Sequence, residues 1–314
     1  MNLQQMRYVL EVARCALNVS EAAAALHTSQ PGVSRQIRVL EEELGVAVFV
    51  RQGKRLTGIT APGREILKIA GRMLQDVDNL RGVGREYCNE ESGSLSIATT
   101  HTQARYVLPR VIQQFMRRYP SVRVSLHQGS PAQVCEYVLA GEADIAIATE
   151  AIGEQEQLVM LPCYQWNRCV IAPVRHPLLK AGPLTLEAIA RYPVITYDYA
   201  FTGRSQINRA FAARGITPNV VLTAIDADII KTYVALGLGV GITAAMAYQE
   251  KVDRGLRALD ASHLFESATT RIGLKRNAYL RGYAYAFIEL FAPQLTRRAV
   301  DAALSGEEGS DPGL

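Results

Sequence analysis

The stretch that most limits what this chain can fold into covers residues 18–51, NVSEAAAALHTSQPGVSRQIRVLEEELGVAVFVR. Ser20 is placed to cap a short alanine-rich helix ending near Leu26, and His27 and Thr28 make a tight turn. Ser29 then opens a second helix, and Pro31 is tolerated in its first turn, where an N–H would find no intrahelical carbonyl. Two short helices joined so briefly form a helix-turn-helix. In the second of them Val33, Ile37, Leu40 and Leu44 follow the spacing of a buried stripe, while Gln30, Ser34, Arg35 and Arg38 lie away from it.

Gln can bond adenine bidentately and Arg can bond guanine, so this free face is equipped to read a major groove. A solvated face on an ordinary amphipathic helix is the alternative, but the turn, the cap and the basic segment that follows favour reading. Beyond Gly45, the apolar runs 46–50 and 56–59 flank the turn-like tip Gln52-Gly53-Lys54, the pattern of a wing. Lys54 and Arg55 are expected on phosphates, where they add salt-sensitive affinity and little sequence information. Glu41, Glu42 and Glu43 are read together as the far end of the reading helix. Upstream, Leu3, Met6, Val9, Leu10 and Ala13 recur at helical spacing and predict a first helix packed across the other two.

The run A-x-x-L-H-T-S-Q-P-x-V-S-R-Q-I-x-x-L-E-E-E-L-G-V, followed by L-T-G-I-T-x-x-G, resembles the N-terminal domain of LysR-type transcriptional regulators. The resemblance implies DNA contacts by Gln30, Pro31, Ser34 and Arg35 in the helix and by Arg51 in the wing. With Ser29, Arg38, Lys54 and Arg55 these make up the candidate DNA-binding set.

Thr60 can cap a long helix beginning near Ala61. Along it Ile66, Ala70, Met73, Val77, Leu80, Gly84 and Tyr87 alternate spacings of four and three, the seam of a two-helix coiled coil. Packing on its own domain is the other reading of that stripe. A dimer would hold two reading heads at fixed separation over inverted half-sites in double-stranded DNA. From Ser94 onward strands alternate with helices, which predicts a mostly parallel α/β sheet, with a final aromatic helix over residues 279–291. The expected organisation is a winged helix-turn-helix over residues 1–60, a linker helix over 61–92 and an effector-binding domain over 93–303. The family resemblance divides that last part into two periplasmic-binding-protein-like lobes, about 93–163 with 267–303, and about 164–266. The chain then crosses twice between the lobes, leaving a ligand cleft between them. Residues 304–314, small and acidic, are expected to be disordered.

Open α/β sheets bind ligands beyond the carboxyl ends of their strands. Here those ends carry Thr99-Thr100-His101-Thr102-Gln103 and Thr149, and Phe201-Thr202-Gly203-Arg204-Ser205 precedes a later helix. Hydroxyls, amides and backbone N–H groups of this kind suit a small, permanently ionised anion such as sulfate, which needs donors and no acceptor. Threonines at strand ends also cap helices, and Thr102 is placed to do so. The motifs T-T-H-T-Q, F-T-G-R-S, Trp166 and D-A-D-I-I-K-T-Y-V-A-L-G-L-G-V-G resemble the CysB and Cbl branch of the LysR-type family, over essentially the whole ordered chain. That likeness implies control of sulfur assimilation and cysteine biosynthesis by acetylserine and sulfur anions. It places the effector at Thr100, Thr102, Gln103, Thr149 and Thr202, with Trp166 nearby. It also implies a homotetramer of linker-helix dimers, contact with RNA polymerase, and no cofactor or metal.

Other classes find little support. The five cysteines, Cys15, Cys88, Cys135, Cys163 and Cys169, are scattered and lack zinc spacing, so reduced thiols are expected. No run approaches the roughly 20 apolar residues that span a bilayer. The N-terminus lacks export features, so a cytoplasmic location is expected. A net charge of +4 does not by itself imply nucleic acid. The five histidines are dispersed, and neither a nucleophile elbow nor a phosphate-binding loop occurs, so no catalytic residue is assigned.

Overall fold

The computed structural model describes residues 1–53, 55–88, 92–149, 157–198 and 204–306. Lys54, Glu90, Glu91, residues 201–203 with Thr202, the Tyr87 side chain and the tail from residue 307 lie outside the described residues. The chain separates into two units, Met1–Cys88 and Asn89–Leu314.

In the first unit Asn2 opens α1 (Leu3–Arg14) through a reciprocal capping box with Gln5. The cap of α2 (Val19–Ala25) is Asn18 and not Ser20: the Asn18 side-chain oxygen accepts from the N–H groups of Ser20 and Glu21 at 3.1 and 3.2 Å. An amide oxygen two residues upstream reaches those donors, whereas Ser20 already sits inside the helix. Ser29 caps α3 (Gln30–Leu44), accepting from Gly32 N–H at 3.3 Å. Val33, Ile37 and Leu40 are buried against Met6, Val9, Val12, Ala22 and Phe49. Leu44 leaves the expected stripe and is 37% exposed, because Gly45 turns the chain away at φ +70° directly after it. The wing is the antiparallel pair β1 (Phe49–Gln52) and β2 (Arg55–Ile59), with a register shift between Val50 and Arg51. Thr60 caps α4 (Ala61–Cys88) by accepting from Gly63 N–H at 2.9 Å. The first three seam positions, Ile66, Ala70 and Met73, pack on this unit's own core, while Leu80 is 71% exposed. The first half of the stripe is thus taken up by packing within this unit.

The second unit is built on two five-stranded sheets. Its elements in chain order begin with β3 (Gly93–Thr99), α5 (His101–Tyr106), α6 (Leu108–Arg118), β4 (Val122–Gln128), α7 (Pro131–Leu139), β5 (Ile145–Thr149) and β6 (Leu158–Trp166). Next come β7 (Arg168–Pro173), α8 (Leu186–Ala190), β8 (Val194–Tyr197), α9 (Arg204–Ala213), β9 (Val220–Ala224), α10 (Ala227–Ala235), β10 (Val240–Ala244) and β11 (Leu256–Asp260). The chain then returns through β12 (Ala268–Lys275), α11 (Gly282–Phe291) and α12 (Arg297–Ser305). One sheet has the order β4-β3-β5-β12-β6 and the other β11-β7-β10-β8-β9. The chain crosses between them at Asn167 and again between β11 and β12.

The sheets are mixed and not mostly parallel. β3 pairs parallel with β4 and β5, but β12 runs antiparallel to β5 and β6; likewise β8 pairs parallel with β9 and β10, whereas β7 is antiparallel to β10 and β11. The strand that follows each crossing, β7 and β12, is the reversed one in its sheet, whereas β6 and β11, which precede the crossings, keep the common direction. β6 escaped the sequence reading because Pro162 breaks its alternation; such a residue is tolerated on this edge strand. The aromatic helix starts at Gly282 rather than Tyr279, since Arg281 holds an extended N-cap conformation. Gly239 permits a close approach: a Cβ there would lie 2.3 Å from the Pro193 carbonyl oxygen.

Candidate functional site

The amino-terminal half of α3 presents Ser29, Gln30, Pro31, Arg35 and Arg38 to solvent, with Ser34 half-buried among them. Gln30 Nε2 donates to Ser34 Oγ at 3.1 Å, one turn along, so the two polar tips form a unit on the reading face. Arg55 is exposed in the wing. Arg51 is engaged: its Nη2 lies 2.6 Å from Glu41 Oε2. Glu41 is only 8% exposed, and its other oxygen accepts from Val48 and Phe49 N–H at 2.8 and 3.2 Å. Grouping Glu41 with Glu42 and Glu43 overlooked this. Its place one turn after Ile37, on the buried stripe, was the available signal.

In the second unit, Thr100, Thr102, Gln103, Thr149 and Trp166 line one small cavity with His101, Tyr197 and Ile225. Its volume, about 30 Å³, exceeds the roughly 10–15 Å³ that a single water requires. Thr102 does not cap a helix: it lies in the first turn of α5, whose N-cap is Thr100, and Thr100 makes no side-chain cap bond. The first-turn N–H groups of α5 lack intrahelical carbonyls by position. Trp166 Nε1 is buried and has no hydrogen-bond partner among the described residues, while the Arg168 guanidinium lies 5.2 Å from the Trp166 ring centroid.

Gln103, 1% exposed, bonds to residues of the sheet beneath it: its Nε2 donates to Thr270 Oγ1 at 3.0 Å and its Oε1 accepts from the Tyr164 hydroxyl. Burial pushes the Tyr164 phenol up to about 12 against the opposing effect of hydrogen bonds with Thr270 and Gln103, so it remains a donor at neutral pH. Burial likewise takes Tyr197 to about 12.

A polar network joins the cavity wall to the other sheet's helix α10. His101 Nε2 lies 3.2 Å from Asp228 Oδ2, and the Tyr106 hydroxyl donates to Asp228 Oδ1 at 2.6 Å. Lys231 Nζ lies 3.1 Å from Asp228 Oδ1 and 3.2 Å from Asp253 Oδ1. Partial burial would raise the Asp228 carboxyl, but hydrogen bonds from Tyr106, His101 and Lys231 prevail and bring it down to about 2. Lys231 is raised despite its own burial, through Tyr106 and Asp228. His101, Asp226 and Asp228 hold ligand atoms within 4.8 Å of one another. Asp226 caps α10, however, and Lys231 and Arg105 supply positive charge to Asp228. The cluster acts as an ion-pair bridge between sheets.

A helix-turn-helix unit joined in one chain to a two-sheet unit with a small cavity beside threonine, glutamine and tryptophan side chains is the build of a ligand-responsive DNA-binding regulator. The profile of the bacterial regulatory helix-turn-helix protein, lysR family, matches residues 3–64, and that of the LysR substrate binding domain matches residues 89–296. The chain belongs to the LysR family of transcriptional regulators, and it is not an enzyme. It is 54% identical over 310 residues to the HTH-type transcriptional regulator CysB of Burkholderia cenocepacia, covering 99% of each chain. It is also 54% identical over 304 residues to the regulator SsuR of the same organism, covering 97% of this chain and 99% of that protein. The cofactor-binding domain of the Cbl transcriptional regulator superposes with a TM-score of 0.66 at 45% identity, covering 69% of this chain and 95% of that one. As a LysR-type regulator the protein binds DNA and a small-molecule effector and works as an oligomer. No helix among the described residues is long and apolar enough to cross a membrane.

Proposed function

We propose that this protein is a cytoplasmic activator of sulfur-assimilation and cysteine-biosynthesis genes, controlled by a sulfur oxyanion or an acetylserine-type effector bound in the cavity beside α5. The observation that carries this reading is the lining: Thr100, Thr102 and Thr149 border one small cavity together with Trp166, whose buried Nε1 has no partner among the described residues. Acceptor-only anions match such a lining. The CysB relative and the Cbl domain support the same branch. Thr202 is assigned to the site by likeness of sequence.

Residues 1–60 read an operator with inverted half-sites, using Ser29, Gln30, Pro31, Ser34, Arg35, Arg38, Arg51, Lys54 and Arg55. Residues 61–92 join two copies, and two such dimers form the tetramer that meets RNA polymerase. Effector binding changes packing around residues 93–303 and thereby the spacing of DNA contacts. The effector must bind the two arrangements with different affinity, since equal affinity shifts nothing.

Calorimetric titration with sulfate, thiosulfate, O-acetylserine, N-acetylserine and an aromatic carboxylate, beside Thr100→Ala and Thr202→Ala, tests the reading. Saturable binding of a sulfur anion or acetylserine, weakened by either substitution, is the expected result. Preference for the aromatic acid would keep the family and reject the sulfur assignment.

A further inference from the structure

Among the described residues Arg168 is the largest side chain withdrawn from water, at 1% exposure. An arginine is rarely buried this far, so its contacts there are informative. It opens β7, directly after the crossing at Asn167. Its Nη1 donates at 2.8 Å to the carbonyl of Glu266, which lies on the second crossing, between β11 and β12. Its Nη2 donates to Gln206 Oε1 in the first turn of α9. The guanidinium lies over the Trp166 ring, 5.2 Å from its centroid. Trp166 ends β6 and borders the cavity.

The backbone draws the same segments together. Trp166 stands opposite Ala268 where β6 pairs with β12, and Ala261 N–H donates to the Arg168 carbonyl at 3.2 Å. The two crossings are therefore fastened to each other on either side of Asn167. A guanidinium is planar and held rigid by resonance, so its two amino edges and its face cannot move independently. A shift of the indole against that face is passed to the bonds at Glu266 and Gln206. Lysine in its place would keep the charge but neither the fork nor the flat face.

We propose that Arg168 is a positioning residue of the effector site: it holds the Trp166 indole in the cavity wall and carries a change in that wall to the second crossing and to α9. The positioning role stands on these contacts. The coupling rests on the anion-binding reading, since it needs an occupant in the cavity, and supplies a route by which occupancy reaches the other sheet. Contact alone does not establish coupling, so it has to be measured.

Trp166 is the single tryptophan of the chain, so its fluorescence reports on this wall. The full-length wild type is compared with Arg168→Lys and Gln206→Leu at a temperature where melts show each protein folded. Acrylamide quenching without ligand comes first. It is expected to rise in Arg168→Lys, where the ring loses its cover, whereas a merely stabilising arginine would lower the melting temperature and leave quenching alone. Equal quenching in wild type and Arg168→Lys overturns the positioning role.

Amide hydrogen exchange is then followed with and without sodium sulfate. In wild type sulfate is expected to slow exchange in α5, in α9 and in residues 261–268. In Arg168→Lys the slowing should survive in α5 and be lost from the other two stretches. Slowing of all three in that variant, or of α5 alone in wild type, overturns the coupling and keeps the anion reading. Gln206→Leu removes one arm of the fork, so it should raise quenching less and lose the response of α9 alone; it carries both readouts if Arg168→Lys fails to fold. Sulfate that slows no stretch of wild type removes the anion reading and the coupling together, while quenching still decides the positioning role.

Discussion

Arg51 Nη2 lies 2.6 Å from Glu41 Oε2, and the same carboxylate holds the N–H groups of Val48 and Phe49. One buried acid on the reading helix thus ties down both the entry to the wing and the arginine on it. Glu41→Ala leaves two buried N–H groups without their acceptor and Arg51 without its partner. A loss of about 2 kcal/mol is expected, discounted for the partial exposure of Arg51. Chemical denaturation of the full chain, followed alongside operator affinity, checks it. Unaltered stability would mean that water or a neighbouring group replaces the carboxylate.

Arg35 stands exposed on the reading face with no structural partner among those described. Arg35→Ala should therefore weaken operator binding by about 1–3 kcal/mol while leaving effector affinity alone. Footprinting beside calorimetry separates the two effects. A footprint identical to wild type would exclude α3 as the element that reads bases.

Trp166→Phe removes the buried Nε1–H that lacks a partner among the described residues. An unmade hydrogen bond costs free energy in the empty state, so this variant should be as stable as wild type or slightly more so. Sulfate affinity should fall by about tenfold if the same N–H binds the anion. Thermal melts with and without sulfate read both quantities; equal sulfate stabilisation in the two proteins would place the anion elsewhere.

Asp228 titrates near 2 in the folded chain against an ordinary value of 3.8. A depressed acid contributes stability above the unfolded value and loses it as pH falls through the folded one. The Asp228 contribution should therefore fade between about pH 4 and pH 2. Asp228→Asn should flatten that part of the curve of unfolding midpoint against pH, and an unchanged acid limb would assign the dependence to other carboxylates. Because His101 of the cavity wall shares this carboxylate, the same variant should also alter effector affinity.

The sequence by itself determined what depends on near neighbours. The turn between α2 and α3, Ser29 as a cap, the stripe Val33, Ile37 and Leu40, and the wing around Gly53 are set within a few residues by periodicity and capping. Alternating strands and helices announced the α/β unit, and five of the threonine, glutamine and tryptophan positions named from the chain line one cavity. Tertiary structure decided the rest. Burial of Glu41, the reversed strands at the crossings and the bridge from His101 to Asp228 all join groups that local patterns cannot relate. Gln103 meets Tyr164 across 61 residues of chain and Thr270 across 167. Hydrogen bonding is directional and short-ranged, so the polarity of that amide is fixed only once strand register has brought its partners within about 3 Å.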